Sequence, residues 1–184
     1  MIYAIRHGES DANARGERNG WTHDMLTTKG IRQAKERAID PKIKHIDHIY
    51  SSDLPRAYNT ATEIDDVLNI GITVDWRLRE FSGPRDKWPE EIKQERDTKE
   101  SWQEAFDRAK GYWKWVIQEG IDNVAIVTHG GFMIMLQYCL EYERFLGKEH
   151  FLDYMTNFNL SNAAVMEFDL YGQAKAKDLA FPEK

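Results

Sequence analysis

Apolar positions along this chain fall into short unbroken runs and into stripes with helical spacing. Residues 1–5, Met-Ile-Tyr-Ala-Ile, read as a buried strand. Residues 28–39 put Ile31, Ala34, Ala38 and Ile39 on one helical face. "HIYSS" (48–52) predicts a second strand. Pro55 then suits the first turn of a helix striped by Ala57, Ala61, Ile64 and Leu68. "GITVDWRL" (71–78), rich in β-branched residues, predicts a third strand. Ser101 and Glu104 form a capping box before the stripe Trp102, Phe106, Ala109, Trp113, Val116 and Ile117, and Gly120 suits its end. Residues 123–129 predict a fourth strand, 131–143 a mostly buried helix, and 163–170 a last strand. Residues 82–100 carry two prolines and many charges without periodicity. They read as an exposed excursion from a single domain spanning 1–184.

Strands alternating with helices predict an α/β fold with a largely parallel sheet. Ligands of such sheets bind beyond the carboxyl ends of the strands. Arg6 and His7 follow the first strand, and His129 follows the fourth. Four segments lie at such ends: "RHGESDAN" (6–13), "SSDLPRAYNTA" (51–61), "RLRE" (77–80) and "VTHGG" (127–131). Together they offer arginines, histidines, an asparagine, a carboxylate and backbone N–H groups. That set suits phosphoryl transfer. An arginine fork binds two phosphate oxygens at once, and N–H groups after Gly130, at a helix start, favour an anion. A histidine that is neutral near pH 7 can attack phosphorus without a separate base.

Composition narrows the partners. The 184 residues are 41% apolar with a formal net charge of -6, which argues against nucleic acid. No apolar run is long enough to span a membrane, and the first residues do not read as a signal peptide. Cys139, the single cysteine, predicts no internal disulfide and a reducing cytoplasm. His45 and His48 would point to opposite faces of a strand, so no metal site is expected. No "GxxxxGK" or "GxGxxG" loop is present, which leaves nucleotide-loop readings without support. Nothing in the chain specifies an oligomeric state.

Four ordered motifs, "RHGES", "LTTKGIRQA", "SSDLPRAYNTA" and "VTHGG", resemble the signatures of the histidine phosphatase superfamily, also called the phosphoglycerate mutase-like family. "RHGES" with Ala12-Asn13 is similar to its opening signature, and "LTTKGIRQA" (26–34) to its next segment. "SSDLPRAYNTA" is similar to the stretch bearing a phosphate-binding arginine, "VTHGG" to the second-histidine motif, and "SNAAVMEF" (161–168) to the closing strand. The resemblance implies a three-layer fold with helices on both faces of the sheet. It implies His7 as phosphohistidine nucleophile, with Arg6, Arg56 and His129 holding the phosphoryl group. Glu80 becomes the candidate proton donor, and Ser10, Asn13 and Gly130 line the substrate phosphate. It also implies no cofactor and a small phosphorylated metabolite as substrate. After Glu80 the chain reads "EFSGPRDKWP" and lacks the glutamate-arginine-histidine-tyrosine run of cofactor-dependent mutases. Hydrolysis is therefore expected, with a phosphoglycerate mutase as alternative and a non-catalytic phospholigand-binding domain as second alternative.

Overall fold

The computed structural model describes residues 1–17, 20–81 and 100–169, together with the backbone of 174–175. The strands are β1 (Ile2–Arg6), β2 (His48–Ser51), β3 (Ile72–Val74), β4 (Val124–Thr128), β5 (Val165–Phe168) and β6 (Ala174–Lys175). They form one sheet in the order β3-β2-β4-β1-β5-β6. The pairings from β3 to β1 are parallel, and β5 and β6 add antiparallel. The expected α/β fold is present, its parallel half closed by an antiparallel edge.

The helices are α1 (Asp11–Ala14), α2 (Thr28–Ala38), α3 (Pro55–Leu68), α4 (Trp102–Gln118), α5 (Gly130–Glu141) and α6 (Lys148–Met155). Strand alternation decides which helices cover which face. Ile2, Ala4, Val124 and Ile126 pack with Phe106, Tyr112 and Val116 of α4 and with Phe132 and Leu136 of α5. Ile5, Ala125 and Val127 pack on the other face with Ala38 of α2 and with Ala57, Ala61 and Ile64 of α3. Both faces of the central strands are thus buried, which is why β4 is apolar almost throughout.

One local expectation changes, and one helix was not expected. The third strand is shorter than 71–78: it ends at Val74, and Trp76–Leu78 turn as a 3-10 helix. Asp75 causes the break, because its side chain accepts the Arg77 N–H at 2.9 Å and pairs with the Arg77 guanidinium. Residues 148–155 are helical, with Phe151 buried, a turn too short to stand out as a stripe. The excursion expected at 82–100 lies, except for Glu100, outside the described residues. Among the described residues no helix is long and apolar enough to cross a membrane.

Cys139 is a buried thiol on α5 that donates to the Leu136 carbonyl, and burial pushes its pKa up to about 12. His48 bonds Thr73 at 2.8 Å, and no His, Cys, Asp or Glu group among the described residues could hold a metal ion.

Candidate active site

Strand register builds the centre of the site. β1 and β4 run parallel with Arg6 opposite Thr128, so the next residues, His7 and His129, emerge side by side. Their ring centroids lie 5.2 Å apart at 61°. The His7 N–H donates to the Thr128 carbonyl at 2.9 Å, locking the two strand ends together. His7 is 3% exposed and His129 0%.

The His7 ring has one possible tautomer. Its Nδ1 lies 2.7 Å from the Gly8 carbonyl, which can only accept, so Nδ1 carries the hydrogen. Nε2 therefore bears the lone pair, and the Arg56 Nε–H donates to it at 3.2 Å. Burial, followed by the charges of Arg56 and Arg6, holds His7 well below the usual imidazole range. His129 is held low by burial first, then by Arg56. Both rings are neutral at pH 7.

Arg56 is fully buried at the start of α3. Its Nη1 and Nη2 donate to the carbonyls of Thr22 at 3.1 Å and Gly20 at 2.6 Å. A guanidinium has five N–H groups, so two remain for a ligand. Burial lowers its pKa to about 10, while Glu80 and Asp24 act in the opposite direction, so it stays charged at pH 7. Arg6 donates through Nη1 to the Leu160 carbonyl, and its buried Nε has no partner among the described residues. The Nδ1 of His129 is likewise buried and unpartnered among the described residues. Unpaired polar groups beside two cations, closed off from solvent, make an anion site.

Glu80 sits where the sequence suggests a phosphate. Its Oε1 accepts the N–H groups of Phe81 at 2.9 Å and Phe132 at 3.0 Å, and Oε2 that of Gly131 at 3.3 Å. The carboxylate thus caps α5, whose N-cap residue His129 makes no side-chain cap bond. A Cβ at position 131 would stand 2.5 Å from Glu80 Oε1, so the approach requires glycine there. Gly130 is the first residue of α5, and its N–H lacks an intrahelical partner. Trp21 Nε1 donates to the Glu80 carbonyl at 2.6 Å. Arg108 of α4 donates to the carbonyls of Arg77 and Arg79 and pairs with Glu100, clamping the segment that carries Glu80.

Ser10 is buried and caps α1: its hydroxyl accepts the Asn13 N–H, while Asn13 Oδ1 accepts the Ser10 N–H. Asn13 Oδ1 also accepts from Asn162 Nδ2 at 2.9 Å, which leaves the Asn13 NH2 as the free end of the amide. The residues expected from the sequence therefore follow β1, β2 and β4, and Glu80, on the turn after the 3-10 helix, joins them at the start of α5.

Sequence reasoning missed several supports. Thr60, one turn after Arg56 on α3, accepts the Gly8 N–H at 3.0 Å. Ser52 Oγ lies 3.0 Å from His129 Nε2. Asn162 contacts the His7 carbonyl as well as Asn13. Thr60 and Ser52 belong to a segment already singled out, and a helical i, i+4 spacing from Arg56 could have found Thr60. "LTTKGIRQA" proves to be scaffolding. A Cβ on Gly30 would stand 2.1 Å from the Glu9 carbonyl oxygen, and one on Gly8 2.5 Å from that of Gly30, so the loop after β1 rests directly on α2.

Comparison with known proteins shows the family. Residues 2–180 match the histidine phosphatase superfamily (branch 1). The chain belongs to that superfamily and is a phosphomonoesterase of this class. "Putative phosphoserine phosphatase 2" of Hydrogenobacter thermophilus is 30% identical over 94% of this chain and 90% of its own length. A phosphoserine phosphatase from Entamoeba histolytica, solved with 3-phosphoglyceric acid, superposes with a TM-score of 0.71 at 25% identity, covering 96% of this chain and 94% of that one. A 2,3-bisphosphoglycerate-dependent phosphoglycerate mutase from Thermoplasma acidophilum is 44% identical, but over only 42% of this chain and 39% of its own length.

Proposed function

We propose that the enzyme hydrolyses small phosphate monoesters in two steps through a phosphohistidine on His7. One observation carries this reading: the lone pair of a neutral, buried imidazole is fixed on Nε2 by the Gly8 carbonyl, beside buried polar groups with no partner among the described residues. An entering phosphoryl oxygen takes the Arg56 Nε–H away from His7 and frees the lone pair. Nε2 attacks phosphorus, the N–P bond forms, and the P–O bond to the alcohol breaks. Charge gathering on the equatorial oxygens is met by Arg6, Arg56, His129 and the Asn13 amide. Glu80 passes a proton to the leaving oxygen. A water then attacks phosphorus and returns a proton to Glu80, the N–P bond breaks, and phosphate leaves. No metal enters these steps, since positive charge comes from side chains.

The phosphoserine phosphatases among its relatives support a short phosphorylated alcohol, such as phosphoserine, as substrate. The buried lone thiol supports a reducing cytoplasm. The mutase matches make phosphoryl return to a bound acceptor the competing reading. Brief reaction with phosphoserine or 3-phosphoglycerate, quenched without acid, should leave one phosphoryl group on the peptide holding residues 6–10. His7→Ala should abolish it while keeping the fold. An adduct on His129 would refute the assignment, and mutase turnover exceeding phosphate release would favour the competing reading.

A further inference from the structure

His129 is a neutral ring, yet it is needed as a donor. An anion held by Arg6 and Arg56 meets either an N–H or a lone pair at the free end of this imidazole. The first attracts and the second repels. Which one it meets depends on which nitrogen holds the hydrogen.

Ser52 is placed to decide this. β2 pairs with β4 with Ser51 opposite Val127, and the Ser52 N–H donates to the Val127 carbonyl at 3.0 Å. That bond sets Ser52 beside His129. Ser52 is fully buried, and its Oγ lies 3.0 Å from His129 Nε2. The same oxygen accepts the Leu54 N–H at 3.3 Å, at the turn into α3. A serine hydroxyl has one hydrogen and two lone pairs. With one lone pair engaged by Leu54, the hydrogen needs an acceptor, and among the described residues His129 Nε2 is the one within reach. If Nε2 carried a hydrogen instead, the buried hydroxyl hydrogen would be left unpaired, and Nδ1 would present a lone pair to the anion.

We propose that Ser52 is a positioning residue: its hydroxyl donates to His129 Nε2, fixes the Nδ1–H tautomer, and so turns the free end of the ring into a donor for the transferring phosphoryl group. The two histidines then share a tautomer and do opposite work. In His7 the Gly8 carbonyl takes Nδ1–H and leaves the Nε2 lone pair for phosphorus. In His129 the Ser52 hydroxyl takes the Nε2 lone pair and leaves Nδ1–H for the phosphoryl oxygens. The burial and neighbouring arginines that keep His129 neutral make this choice necessary. The inference rests on the phosphohistidine reading only for its catalytic consequence; the tautomer itself is a property of the free enzyme.

The test is nitrogen NMR on the full chain labelled with 15N-histidine, in phosphate-free buffer at pH 7.5, with the His129 signals identified by their absence in His129→Asn. The wild type should show a protonated Nδ1 and an unprotonated Nε2. Ser52→Ala should shift His129 toward the Nε2–H form. It should lower kcat/KM for phosphoserine by roughly 10- to 100-fold, the loss of one hydrogen bond to an ionic group in the transition state, and should weaken inhibition by inorganic phosphate. Ser52→Thr, which restores the hydroxyl, should recover the tautomer and most of the rate. A wild-type His129 protonated on Nε2 overturns the proposal even if the alanine variant does not fold. A Ser52→Ala enzyme that slows with its tautomer unchanged also overturns it, since Ser52 would then be merely structural. Phosphate trapping on His7 reports separately on the two-step reading and is independent of the spectrum.

Discussion

Mild acid should destabilise this protein through its two active-site histidines. Each is buried, and its folded-state pKa lies well below the ordinary value because burial and the arginines oppose a positive charge. Between that low value and about 6.5 the unfolded chain binds protons that the native chain refuses. The contribution is therefore complete above about pH 6.5 and is lost as pH falls below it. A group with an unfolded pKa of about 6.5 that stays neutral in the native state costs on the order of 1 kcal/mol at pH 5.5 relative to pH 7.5, so the pair costs on the order of 2–3 kcal/mol. Urea unfolding followed by tryptophan fluorescence at those two pH values measures the change; phosphate must be absent, since a bound anion would stabilise the fold by mass action. Carboxylates and other histidines add their own pH dependence, so the decisive comparison is with His129→Asn. That variant should lose on the order of 1 kcal/mol less than the wild type on acidification. If the two proteins lose the same amount, His129 is not held neutral and the electrostatic account of the site fails. The same neutrality keeps the nucleophile ready in mild acid, and the acid limb of kcat/KM should lie below pH 6.5.

Glu80→Gln can keep an oxygen against the Phe81 and Phe132 N–H groups but has no proton to give. It should slow alkyl monoesters by roughly 10²–10⁴-fold and p-nitrophenyl phosphate far less, because a phenolate leaves without help; equal slowing of both places the donor elsewhere. Gly131→Ala puts a methyl 2.5 Å from Glu80 Oε1 and should reproduce the Glu80→Gln profile although alanine favours a helix; wild-type kinetics would show that Glu80 does not need its seat on α5. Gly30→Ala sets a Cβ against the Glu9 backbone at 2.1 Å and should cost about 1–3 kcal/mol or more in urea unfolding; an unchanged midpoint would mean the loop does not rest on α2. Activity should survive a chelator, and rescue of a chelated enzyme by magnesium or zinc would contradict charge supplied by arginine and histidine alone.

The alternation of strand runs with helical stripes carried the fold class, because each element's buried face is written in local spacing. Arg6, His7 and His129 were legible for a related reason, as polar residues directly after apolar strands, and the resemblance of the motifs to a known family implied the roles of Arg56 and Glu80. The sequence also foresaw an anion at the start of α5, but only the tertiary structure shows that Glu80 occupies part of that place in the free enzyme. That outcome depends on Asp75 breaking the third strand, a local contact with Arg77, and on Arg108 clamping the turn that follows, a contact between residues distant in sequence. Register decided the rest. The 5.2 Å approach of His7 to His129 exists because Arg6 pairs with Thr128, and Ser52 reaches His129 because Ser51 pairs with Val127. A pattern of apolar residues says which face of a strand is buried. Which residue stands beside which across strands is set when the sheet assembles, and with it the tautomers on which the chemistry depends.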